Sequence, residues 1–187
     1  MTFYKAKTIV KQGALSTTIS VIVSSFAGAM LNAKLEALLA VPVLIVLVPG
    51  ISTMAGNLGC MIGSKVATAL HLGLVRPKLE RNPYLGRNAA AILLIAVASS
   101  FYLTFLASAV SYMAGFANIA PLKVLEVTLL SGISLALVTL VVGIVVAFIT
   151  YKYGWDPDNT TIPVITSIGD VTGVLLLLLA ASLAGLI

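Results

Sequence analysis

Charge is the scarcest feature of this sequence: only 9% of its 187 residues are Asp, Glu, Lys or Arg. Soluble domains carry roughly 25% charged residues, so the chain lacks the polar surface that a water-soluble globule needs. One cysteine rules out an internal disulfide framework and any CxxC metal site. The single histidine leaves no Ser–His or zinc-protease HExxH constellation, and no Walker loop or dinucleotide fingerprint is present. An aspartyl intramembrane protease needs two acids sharing a proton, available here only across a dimer. Enzymatic readings therefore fail. What the chain has instead is 60% hydrophobic residues and a mean hydropathy of +1.13, the composition of an integral membrane protein.

Uncharged runs lie at 12–33, 37–64, 88–122, 127–151 and 159–187, the last interrupted only by Asp170. A helix needs about 20 residues to cross a hydrocarbon core of roughly 30 Å. Each run supplies one crossing. Gly115, Asn118 and Pro121 end the third helix near Ser111 and make Tyr112–Leu122 a loop. The expected fold is all-α, with five transmembrane helices at about 13–33, 38–64, 88–111, 124–150 and 162–186. The whole chain, 1–187, reads as one membrane domain with no soluble regulatory domain. Nothing alternates as a membrane barrel strand would.

Five crossings place Lys5, Lys7, Lys11, Lys65, Arg76, Lys78, Arg81, Arg87 and Lys152 on one side, against Lys34 and Lys123 on the other. Basic loops stay in the cytoplasm, so the expected orientation is N-in and C-out, multi-pass in the plasma membrane. The net charge of +5 marks loops near anionic lipid, not a nucleic-acid partner. The apolar run after Lys11 is long for a signal peptide. Trp155, Tyr151 and Tyr153 read as interfacial anchors, His71 as an interfacial residue and Cys60 as a small core residue. Asn159-Thr160-Thr161 fits a glycosylation sequon but falls on the cytoplasmic side.

Asp170 is the one carboxylate deep in a span, about 12 Å along a helix that begins near Ile162. A charge at helix centre costs about 2.5–3.5 kcal/mol on insertion scales, so such an acid faces the bundle interior or water. The alternative is a protonated or hydrogen-bonded Asp that holds helices together. Thr166, Gly169, Asp170 and Gly173 share one face by their spacing of three and four. That face is small and hydroxylated, suited to a pore and equally to close helix packing. Asp156 and Asp158 lie just before this helix and read as loop acids or as a cation-attracting cytoplasmic mouth, with Pro163 in the first helical turn. The second span carries Pro42, Pro49, Gly50, Gly56, Asn57, Gly59 and Gly63. Such backbone either breaks to expose carbonyls or kinks and packs closely. Asn57 needs a partner in either case, across helices or in a metal's water shell.

Oxygen ligands of this kind suit a hard divalent cation. Mg²⁺ keeps most of its water and takes one or two carboxylates, an arrangement that one Asp per chain doubled by a two-fold axis would provide. The stretches Pro42-Val43-Leu44 through Pro49, Ala55-Gly56-Asn57-Leu58-Gly59, Trp155-Asp156-Pro157-Asp158 and Pro163 through Gly173 resemble the second-helix and last-helix motifs of MgtE-type magnesium channels and the solute-carrier magnesium transporters. The resemblance implies a parallel homodimer with a pore at its interface. It also implies Mg²⁺ as transported ion, Asp170 as the pore ligand, and Asn57, Gly56 and Thr166 as pore lining. Where the family tends to have Asn-Gln after GNxG, this chain has Cys60-Met61, which leaves Mn²⁺, Co²⁺ and Ca²⁺ open as cargo. Two other functions fit the residues alone: a non-transporting membrane assembly subunit, and a Na⁺- or H⁺-coupled transporter of another solute.

Overall fold

The computed structural model describes residues 6–78, 80–116 and 120–187, apart from the side chains of Pro157 and Asp158. Its elements are α1 (Ala6–Ala33), α2 (Leu35–Ala40), α3 (Pro42–His71), α4 (Pro83–Met113), α5 (Pro121–Lys152) and α6 (Pro157–Leu183). Five of them are long and apolar enough to cross a membrane. The helices overrun the uncharged stretches because terminal Lys and Arg side chains keep their heads in water while their stems stay on the helix. Hence α3 continues through Lys65 to His71.

Proline and glycine set the ends. Pro42, Pro83 and Pro121 each occupy the first turn of a helix, where a missing N–H costs nothing. Asn82 adds a side-chain cap, its Oδ1 accepting from the Tyr84 N–H at 2.8 Å. Gly115, at φ +70°, closes α4 as expected, with the Phe116 N–H reaching back to the Ser111 carbonyl. Asn118 lies outside the described residues.

Two expectations need correction. The span expected at 38–64 is two elements, because Pro42 forces Val41 out of helical geometry (φ −130°, ψ 74°) and α2 stops there. Beyond that point α3 is continuous; Pro49 and the glycines do not break it. The last span starts at Pro157, not near Ile162, so Pro163 is an internal residue and not part of the first turn.

The glycines of α3 serve a close antiparallel seam with α6. Ile51 meets Gly173, Ala55 meets Gly169, Gly59 meets Ile165 and Gly63 meets Ile162, a step of about four residues on each helix. A Cβ on Gly169 would lie 2.8 Å from that of Ala55, and one on Gly59 would overlap the Ile165 side chain. Such small-residue rows let backbones approach where lipid offers no hydrophobic drive. α5 completes the centre, Gly143 receiving Ile62. In the apolar windows of α3, α5 and α6, 44% of residues are buried, against 22% in α4 and 11% in α1. α4 is tied to α5 by hydroxyls: Ser100 Oγ donates to the Thr128 carbonyl (3.0 Å), and the Thr104 and Thr128 hydroxyls pair at 2.7 Å. α1 lies at the periphery against α6, with α2 beside it.

Gly59→Leu should break the seam; overpacking costs roughly 1–3 kcal/mol. Thermal stability followed by size-exclusion in detergent should fall sharply for it and hold for Gly86→Ala, where a Cβ meets open space. Equal stability of the two variants would contradict the seam.

Candidate functional site

Asp170 stands thirteen residues after the first residue of α6, about 20 Å along the axis. It is part-buried on the side of α6 that faces α1, and Ser24 Oγ donates to its Oδ2 at 2.9 Å. That bond is the last rung of a ladder between two helices running in parallel. Ser16 Oγ donates to the Asn159 carbonyl at 3.1 Å, and Ser20 Oγ donates to the Pro163 carbonyl at 2.6 Å. The Asn159 amide reaches Gln12 Oε1 at 3.4 Å.

Pro163 explains the middle of the ladder. Lacking an N–H, it leaves the carbonyl of Asn159, four residues earlier, without its helical donor. The Ser16 hydroxyl approaches that carbonyl at 3.1 Å, sharing its one proton with the Gly13 carbonyl at the same distance. Interhelical bonds of this type average about 0.6 kcal/mol in membranes, so the ladder orients α1 on α6 more than it holds the fold.

Beside the ladder runs an open groove of about 600 Å³, lined by Thr17, Ser20, Ser24, Ser25, Pro163 and Thr166. Thr166 folds its hydroxyl onto the Pro163 carbonyl (2.9 Å), and its methyl approaches Gly56 of α3, where a Cβ would sit 3.7 Å away. Gly56 and Thr166 are therefore brought together, one helical turn before Asp170. Asn57 is not part of this groove. It is exposed, its amide has no hydrogen-bond partner among the described residues, and it opens onto a second groove of about 760 Å³ between α3 and α4. Gly50, Thr53, Cys60, Ser99 and Tyr102 share that groove. Gly169 and Gly173 are buried against Ala55 and Ile51, so the face they share with Asp170 turns partly into protein.

Asp156 lies at the start of α6 with 12% of its side chain exposed. His71 Nε2 is 3.9 Å from its Oδ1, and the Asn159 amide donates to its Oδ2 at 3.4 Å. The His71 ring also meets Tyr151 edge-on, with centroids 5.6 Å apart. This contact ties the end of α3 to the turn between α5 and α6. The side chain of Asp158 lies outside the described residues. Among those described, no three His, Cys, Asp or Glu side chains cluster. The described surroundings of Asp170 are hydroxyls and backbone carbonyls, a donor set whose chemistry suits a hard ion.

Ser16, Ser20 and Ser24 are the site residues that the sequence reading passed over. Their signal was present, a polar residue every four positions from Gln12, which places all four on one helix face.

Comparison with known proteins bears on the same helices. Residues 48–180 match the MgtE family, described as a divalent cation transporter. The match takes in Asn57 and Asp170 and starts after α1. Solute carrier family 41 member 3 of Rattus norvegicus and that of Mus musculus are each 29% identical to it over 145 residues, 74% of this chain. The chain spans only 30% and 29% of the length of those relatives. Since the family match covers most of its residues, this multi-pass membrane chain belongs to the MgtE family of divalent cation transporters.

Proposed function

We propose that the chain carries a largely hydrated divalent cation, Mg²⁺, through a pore formed between two parallel copies, with Asp170 as the central anionic group. The observation that carries this reading is the placement of Asp170: mid-helix, part-buried, hydrogen-bonded through one oxygen, beside a groove of hydroxyls. A carboxylate at that depth needs water or a cation near it. Mg²⁺ dehydrates reluctantly and binds through one or two carboxylates with several waters retained. Two-fold pairing would set a second Asp170 opposite the first. Water-mediated contacts keep binding weak enough for release, which conduction requires.

In this arrangement Asn57, with an amide free to turn, orients hydration water, and Gly56 and Thr166 form the wall between the two grooves. Gly169 and Gly173 act by letting α6 sit close to α3, which fixes the depth and direction of Asp170. Asp156 and Asp158 stand at the cytoplasmic mouth. The orientation, N-in and C-out in the plasma membrane, follows from the nine basic residues on one side. Lys123, one of the two on the other side, donates Nζ to the Ala184 carbonyl at 2.8 Å, so a helix-capping role accounts for its position.

Asp170→Asn should lower Mg²⁺ uptake into proteoliposomes at least tenfold, reported by an entrapped fluorescent indicator, while light scattering still shows a dimer. Losing the charge removes an attraction worth more than one charge-assisted hydrogen bond, which is the basis of that magnitude. Unchanged uptake would refute the role. Orientation has its own test. In a Cys60→Ser background, Lys78→Cys should react with an impermeant thiol reagent in inside-out vesicles and be protected in right-side-out ones; the opposite pattern would overturn it.

A further inference from the structure

α1 lies outside the residues that match the family, yet it supplies the hydroxyl that holds the central carboxylate. We infer that Ser24 is a specificity-determining, positioning residue. By donating to Oδ2 of Asp170, it engages one of the carboxylate's four lone-pair sites and fixes the plane of the group, which weakens chelation through both oxygens and so disfavours Ca²⁺. The inference rests on the reading of Asp170 as the pore anion.

The chemistry follows from how the two ions bind. Ca²⁺ accepts six to eight oxygens in flexible geometry and readily takes a carboxylate through both oxygens, whereas Mg²⁺ keeps a near-octahedral shell with several waters. A carboxylate free at both oxygens would therefore bind Ca²⁺ directly and retain it. One held by a hydroxyl at 2.9 Å keeps Oδ1 fully open but has one lone pair of Oδ2 engaged and its plane fixed, so two-oxygen chelation competes with that bond. Mg²⁺ approaching through its own water loses little by this, because one acceptor suffices for a water-mediated contact.

The geometry around Ser24 supports a fixed position. Ser16 and Ser20, eight and four residues earlier on the same face, anchor α1 to the Asn159 and Pro163 carbonyls, so Ser24 is registered against Asp170 by two preceding rungs. The anchoring carbonyl of Asn159 exists as a free acceptor because of Pro163. Removing the Ser24 hydroxyl thus leaves α1 docked and changes only the acceptor count at Asp170. Ser24 also lines the groove, within reach of an entering hydrated ion.

The test uses the full chain in proteoliposomes and measures the Ca²⁺ concentration that halves Mg²⁺ uptake. Ser24→Ala and Ser24→Val should lower it roughly fivefold, the worth of one net hydrogen bond, relative to each variant's own Mg²⁺ half-saturation. Ser24→Thr, of the same shape as Val but with the hydroxyl, should restore the original value. A merely structural residue would scale uptake without moving the Ca²⁺ value. An unmoved value in both Ala and Val variants, or equal shifts in Val and Thr, would overturn the inference. Asp170→Asn, measured alongside, separates the two levels. If it abolishes uptake while the Ser24 variants keep the original Ca²⁺ sensitivity, Ser24 alone loses its role. If it leaves uptake intact, the pore reading and this inference fall together.

Discussion

A carboxylate some 20 Å along a membrane-crossing helix is the constraint around which this structure is arranged. Lipid cannot stabilise it, and no basic side chain of the described residues forms an ion pair with it. Its one described hydrogen bond comes from Ser24 of α1, a residue that also lines the adjoining groove. That bond depends on α6 being held at a fixed rotation and depth. A rotation of α6 by one residue, about 100°, would turn Asp170 away from Ser24.

The α3–α6 seam supplies that fixity. Gly59, Gly169 and Gly173 are filled by Ile165, Ala55 and Ile51, and each pairing tolerates no further carbon without movement. Packing of small residues is directional in a way that burial of leucine in lipid is not, since every face of a Leu-rich helix is equally content there. The seam thus sets the register between the helix carrying Gly56 and Asn57 and the helix carrying Thr166 and Asp170. Pro163 contributes from within α6. By freeing the Asn159 carbonyl it makes an acceptor for Ser16, which places α1 along the same face. Packing, a missing backbone donor and one part-buried acid are parts of a single arrangement.

Five crossings were readable because charge is excluded from lipid so strongly that clusters of charged residues fall near the helix ends. Asp170 was readable for the same reason: a lone acid in an apolar run has few structural uses. The two prolines were harder. Pro42 and Pro163 have the same backbone chemistry, yet Pro42 starts a helix and Pro163 lies inside one. The carbonyl that Pro163 frees is met by Ser16, a hydroxyl 143 residues away from Asn159, which no local pattern reveals. The glycines of α3 likewise fit a broken helix or a tight seam until Ile165 is seen to occupy the space. Ser24 carries no signal by itself, since serine is common in membrane helices. Its four-residue spacing from Ser20 and Ser16 becomes informative only beside the carbonyls and carboxylate it meets. Asn57 and Asp170, read together from motif likeness, point apart in one chain, Asn57 into the α3–α4 groove and Asp170 onto Ser24 of α1.

The most direct measurement is the position of a bound ion in the assembled protein, with Mn²⁺ replacing Mg²⁺ and located by its anomalous scattering. A peak between two Asp170 side chains, about 4–5 Å from their oxygens and separated from them by the ion's own water, is the expected result, since direct coordination of such ions lies near 2.0–2.1 Å. A peak elsewhere in the pore, with both Asp170 carboxylates enclosed in a dry helix contact, would contradict the central role of this residue.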